Sequence, residues 1–163
     1  MKRPVNLLAI LVASVVVAGT LMAQTEPSVG TWVGTWKLNL AKSKYEGTQA
    51  PKTMTRTVTA EGAGLKYSFE GEAADGSKIS YGFTTKLDGS DSAVSGVGTP
   101  GGADTVALER PSVHKITGVL KKGGTKIGTV WTAISPDGKS VTVNTRAKID
   151  GKEVKTQQVY DKQ

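Results

Sequence analysis

The chain contains no cysteine and only one histidine, His114. Without cysteine no disulfide can form, and no thiolate is available for zinc or an iron–sulfur cluster. A lipid anchor at a cleavage-site cysteine is excluded as well. One histidine leaves a zinc or haem site almost without ligands. Nucleophilic catalysis needs a serine, threonine or cysteine beside a base. Nothing local marks a serine as the partner of His114, and a lone histidine on a strand is more often a surface or satisfied residue. Paired-carboxylate chemistry needs two acids that converge. Glu70, Glu72, Asp104 and Glu109 each fall near a strand end or on a polar face. Asp88-Gly89-Ser90-Asp91-Ser92 lacks the acid and glycine positions of a calcium loop and reads as a hairpin turn. No glycine-rich phosphate loop occurs between a strand and a helix. No catalytic residue, metal or cofactor is predicted, and an enzyme is the least favoured class.

Runs of like charge are also missing. The formal charge of +7 becomes +5 without Lys2 and Arg3, and the remaining lysines stand singly or in pairs such as Lys121–Lys122. No block of five or six like charges appears, so the surplus reads as a solvated surface. Nucleic-acid binding would require aromatics on the charged face as stacking platforms. Tyr67, Phe69, Tyr81 and Phe83 share their faces with aliphatic residues instead, so nucleic acid is not an expected partner.

What is present begins with a targeting pattern. Lys2 and Arg3 precede an apolar run, Leu7 to Ala18, broken only by Ser14, and small residues follow. This predicts a signal peptide over residues 1–23, cut after Ala23, with export from a bacterium-like cell to the periplasm or beyond. The stretch from Val5 to Met22 is interrupted by Asn6, Ser14 and Thr20, which disfavours a retained membrane anchor. The remaining 140 residues suit one domain. Residues 24–30 read as a flexible lead-in, residues 31–163 as the domain, and a monomer is expected.

Turn residues punctuate that domain. Asp-Gly recurs at 75–76, 88–89, 137–138 and 150–151, and Gly-Gly at 101–102 and 123–124. These dipeptides supply the positive φ angles of tight hairpins. Between them, apolar and polar residues alternate with period two. Leu65, Tyr67 and Phe69 share one face, and so do Ile79, Tyr81 and Phe83; Val141 and Val143 continue the pattern. Helical periodicity is absent. About ten strands are expected, near 31–40, 53–60, 64–72, 78–87, 91–97, 104–110, 112–120, 125–134, 140–148 and 153–161. Residues 41–52, polar and containing Gly47 and Pro51, read as a loop. Residues 98–103 form a second loose stretch. The expected fold is all-β: an antiparallel up-and-down meander that hides its edges by closing into a barrel, with a two-sheet sandwich as the alternative.

The run Gly34-Thr35-Trp36-Lys37-Leu38-Asn39 resembles the Gly-x-Trp signature at the first strand of lipocalins and intracellular fatty-acid-binding proteins. Extended by Ala41-Lys42-Ser43-Lys44-Tyr45 and by Val159-Tyr160-Asp161-Lys162, the string is similar to a group of small exported bacterial proteins described as lipocalin-like. The resemblance implies that Trp36 plugs the closed end of the barrel beneath an arginine from a late strand, Arg146 or Arg110. Trp32, nearer the strand start, is expected to matter less. The resemblance departs in two places. Residues 41–52 are too short for the two helices of fatty-acid-binding proteins, and Gln158-Val159-Tyr160 replaces their Arg-x-Tyr carboxylate grip.

A small-molecule-binding module is therefore expected, holding an apolar or amphipathic ligand inside the barrel. Candidate ligand contacts are Tyr67, Phe69, Tyr81, Phe83, Arg110, Gln158 and Tyr160. With Gln158 in place of an arginine, neutral ligands are expected to bind better than fatty-acid anions. The alternative is an envelope structural or interaction protein with a filled core.

Overall fold

The structure is a computed structural model that describes residues 29–163. The expected signal peptide and its cleavage point lie outside the described residues. Twelve strands run in order: β1 Gly34–Leu38, β2 Lys44–Glu46, β3 Thr53–Glu61, β4 Gly64–Glu72, β5 Lys78–Thr85, β6 Asp88–Ala93, β7 Ser95–Val97, β8 Thr105–Ser112, β9 Lys115–Lys122, β10 Thr125–Ile134, β11 Ser140–Ile149 and β12 Lys152–Lys162. All pair antiparallel, in the order β6-β8-β9-β10-β11-β12-β1-β3-β4-β5-β7, with β2 also on β12. The two ends of that series, β6 and β7, are consecutive pieces of one bent run on either side of Val94. One piece pairs with β8 and the other with β5, so the sheet closes into a barrel. The sandwich alternative falls away.

The ten expected runs are all present, and one of them, 91–97, is broken into β6 and β7. Asp88-Gly89, expected in a hairpin turn, instead opens β6, because that strand pairs with β8 and not with β5. The strand not expected is β2, which lies with β1 along the same edge of β12: Trp36 to Leu38 face Lys162 to Tyr160, and Lys44 to Glu46 face Gln157 to Lys155. A single 3-10 turn, Leu40–Lys42, separates them. The expected loop at 41–52 thus contains a strand. Three residues are too few to display alternation, and their register comes from β12 instead. No helical pair is inserted there, and no helix among the described residues is long and apolar enough to cross a membrane.

The 3-10 turn is pinned to β12 through the residues that carried the family resemblance. Asn39 Oδ1 accepts from the Lys42 amide, and Asn39 Nδ2 donates to Asp161 at 2.7 Å. Ser43 Oγ donates to the Asn39 carbonyl and accepts from the Val159 amide at 2.9 Å. Lys42 pairs with Asp161 at 3.1 Å. The two separated halves of the string are therefore in contact, one at each end of the described chain.

A one-turn 3-10 helix, Val29–Trp32, caps the closed end, so the domain starts earlier than the expected lead-in allowed. Trp36 is fully buried, as the resemblance implied. Its indole N–H donates to the Trp32 carbonyl at 3.2 Å, and the Trp32 indole donates to the Val113 carbonyl at 3.1 Å. Trp32 is also fully buried, which its expected place at a fraying strand start did not anticipate, because it sits in the cap rather than in the strand. The cation over Trp36 is Lys162, 5.1 Å from the ring centroid, and neither proposed arginine. Arg146 lies outside, over Trp131 at 5.3 Å.

Candidate functional site

Alternation places one face of every strand inside. β4 and β5 contribute Tyr67, Phe69, Tyr81 and Phe83, and register sets Tyr67 opposite Phe83 and Phe69 opposite Tyr81. The paired rings stack with centroids 4.8 Å and 4.5 Å apart. The opposite wall is aliphatic, with Val106, Leu108, Ile116, Leu120, Val130 and Val143. Between the walls lies a chamber of about 90 Å³, which Gln158 and Tyr160 also line. Six of the seven predicted ligand contacts thus meet in one cavity. The seventh, Arg110, does not line it. Its strand runs to the closed end, beside the hairpin whose Val113 carbonyl binds Trp32, and its Nη1 is buried there.

The positive charge in the chamber comes from Arg56, on β3, which the sequence reading missed. Arg56 is 3% exposed, and its guanidinium carbon stands 4.9 Å from the Tyr67 ring centroid. Its Nε is buried without a hydrogen-bond partner, and no Asp or Glu lines the chamber. The signal was in the alternation: Met54, Arg56 and Val58 are buried, with threonines between them at 53, 55, 57 and 59.

The remaining polar groups form a relay. The Tyr160 hydroxyl lies 3.0 Å from its acceptor Met54 Sδ and 3.2 Å from a second acceptor, Gln158 Oε1. Gln158 Nε2 donates to the Tyr45 hydroxyl at 3.3 Å. Burial pushes the Tyr81 and Tyr160 phenols far above the ordinary range, against the pull of Arg56. Burial raises Tyr67 too, again opposed by Arg56. All three phenols stay protonated at neutral pH; Tyr67 and Tyr81 can donate to an acceptor in the chamber, while the single Tyr160 O–H is shared between Met54 and Gln158.

A second space of about 250 Å³ opens toward the mouth, lined by Tyr45, Met54, Ile79, Ile149 and Val154 among others. It meets the chamber at Tyr81, Thr99, Pro100, Thr145 and Gln158. The loose stretch 98–103 is a strap over this junction. Its positive-φ Gly101 (φ 63°) lies so close to Ile149 that a Cβ there would come within 3.0 Å of Cγ1.

No protein-family model matches the chain, and no curated protein does. Among solved structures, the zebrafish ileal bile acid-binding protein complexed with cholic acid superposes with a TM-score of 0.52 at 12% identity, covering 82% of this chain and 99% of that one. The siderocalin Ex-FABP aligns over 82% of this chain and 71% of its own at 10% identity, with a TM-score of 0.37. The likeness to the bile acid-binding protein, together with the barrel topology, establishes a lipocalin-like (calycin) fold.

Proposed function

We propose that the barrel binds a small amphipathic organic anion. Its acidic group lies at Arg56, and its apolar body lies against the ring wall and extends toward the mouth. One observation carries this: Arg56 is a buried guanidinium with a free Nε, in a chamber with no carboxylate. An unpaired buried charge is costly, and a ligand anion supplies the missing partner. The relatives' ligands point the same way only by analogy of fold: the superposed zebrafish structure holds cholic acid. The expectation that neutral ligands are preferred rested on the absence of an interior cation, and Arg56 removes that premise.

Displacement of an environment-sensitive fluorophore by octanoate and by octanol tests the assignment. A charge-assisted hydrogen bond contributes about 1.5–3 kcal/mol, so octanoate should bind about 10–100-fold more tightly. Arg56→Gln should erase that difference. Equal binding of acid and alcohol, or an acid preference that survives the substitution, would refute the assignment of Arg56. A second reading, a filled barrel acting through its surface, is favoured by the small size of the inner chamber. Ligand pockets span about 300–1,000 Å³, which the chamber and mouth reach only in combination. Displacement by neither compound would select it.

A further inference from the structure

The outer wall of β10–β12 carries more cations than anions. Lys126, Arg146, Lys148 and Lys155 are all exposed there. Arg146 stands directly opposite Lys155 across one ladder, and Lys126 opposite Lys121 across the next. Like charges facing each other across a ladder destabilise a sheet. Lys121 is answered by Asp91 at 2.7 Å and Lys155 by Glu153 at 3.8 Å. Lys126 and Arg146 make no ion pair, and Lys148 makes none within 4.0 Å although Glu153 stands opposite it across the ladder. A β-bulge between Lys126 and Gly128 breaks the ladder, and a groove runs between these cations, lined also by Thr129 and by one acid, Glu153. Beside it lie half-buried Trp131, under Arg146, and Asn144, the cross-strand neighbour of Trp131.

We infer that this wall binds an acidic polysaccharide, with carboxylates along a uronate chain meeting the row of cations. Adjacent strands are about 4.8 Å apart, comparable with the length of one sugar ring, so cations on successive strands can meet successive acidic residues. Thr129 and Asn144 offer hydroxyl and amide partners to sugar hydroxyls. A lipid surface fits less well. The exposed large aliphatics, Leu40, Val97 and Val113, belong to other parts of the molecule, and this patch presents none for the acyl boundary. Nucleic acid would need several stacking platforms, whereas Tyr67, Phe69, Tyr81 and Phe83 are all inside.

The test is binding of polygalacturonate to the domain, followed by calorimetry, with dextran as the neutral control. Three proteins are compared: the unaltered domain, Lys126→Glu/Arg146→Glu/Lys148→Glu, and a charge-matched control, Lys37→Glu/Lys66→Glu/Lys139→Glu. The expected result is polygalacturonate binding that weakens with added salt, falls roughly tenfold or more in the first variant, and is largely kept in the control. Thermal midpoints of both variants verify that the exposed substitutions leave the barrel folded. No binding to polygalacturonate, or an equal loss in both variants, would overturn the inference. Tighter binding to duplex DNA or to phosphatidylserine vesicles would overturn it in favour of that partner. Octanoate binding in the barrel is measured in the same samples and is independent of every one of these outcomes.

Discussion

Arg56 sits in a strand whose outward positions are a row of threonines, and that setting hides it. By residue type an arginine among threonines reads as surface; only its parity with Met54 and Val58 marks it as interior. Tyr67, Phe69, Tyr81 and Phe83 were legible because ring and aliphatic residues agree in both type and parity. Arg110 shows the opposite failure. Its parity with Val106 and Leu108 is inward, but parity does not say how far along the barrel axis a side chain lies, and Arg110 falls at the closed end. Two outcomes follow at single residues. Arg56→Met should raise the unfolding free energy of the ligand-free domain by about 1 kcal/mol or more, since it deletes an unpaired buried charge, less what the contact with Tyr67 contributes. Trp32→Ala should cost about 3–5 kcal/mol, as much as Trp36→Ala, because both rings are fully buried and each indole N–H holds a backbone carbonyl. Urea melts of the three variants check both; a loss at Trp32 well below that at Trp36 would return it to a peripheral role.

Among the elements, the hairpin turns were the most legible, because aspartate and glycine announce them through their own chemistry. Asp75 accepts from the Ser77 amide at 2.9 Å and from its hydroxyl at 2.6 Å; Asp137 accepts from Ser135 Oγ at 2.6 Å and the Lys139 amide at 3.0 Å. Hydrogen bonds from Ser77 and Ser135 hold the carboxyls of Asp75 and Asp137 below their ordinary range, and one from Ser90 does the same for Asp88, which opens β6 and not a hairpin. The folded value lies below the unfolded one, about 3.9, so this stabilisation is complete above about pH 5 and is lost as the pH falls through the unfolded and then the folded values. Acid titration of stability should therefore be flat down to about pH 5 and then decline. Replacing the three aspartates by asparagine, which retains the acceptor without the titration, should make the decline shallower. A triple variant with an unchanged acid slope would show that other carboxylates govern it. β2 was illegible for the converse reason: nothing in Lys44-Tyr45-Glu46 itself specifies a strand, and its place is dictated by Gln157 to Lys155 across the ladder.

For the whole molecule, closure decides which groups can meet water. The tyrosines at 45, 67, 81 and 160 are all raised by burial. A phenol whose folded value exceeds its unfolded one, about 10, stabilises the fold fully below that value, and the contribution disappears as the pH rises. Absorbance at the tyrosinate band should thus rise together with loss of the far-ultraviolet β signal, in one alkaline transition. Ionisation of several tyrosines before unfolding would mean that the barrel admits hydroxide freely. Export is tested at the same scale: the intact mass of protein recovered from outside the cell should correspond to a chain starting at Gln24.

The barrel is closed where β1 lies beside β12, with Trp36 opposite Lys162 and the Gln163 amide on the Thr35 carbonyl at 2.9 Å. The first and last strands are therefore neighbours, and the order in which the ribosome makes them is incidental to the finished ring. A short peptide joining residue 163 to residue 29, with the chain reopened after Gly123 in the exposed β9–β10 turn, leaving the Gly123 amide on Asp104 at 2.7 Å, should give a circular permutant with the same barrel. In that permutant the Asn39–Ser43 turn and the Val159–Asp161 segment it grips would become close in sequence, so their contact, now between opposite ends of the described chain, would be among the quickest to form.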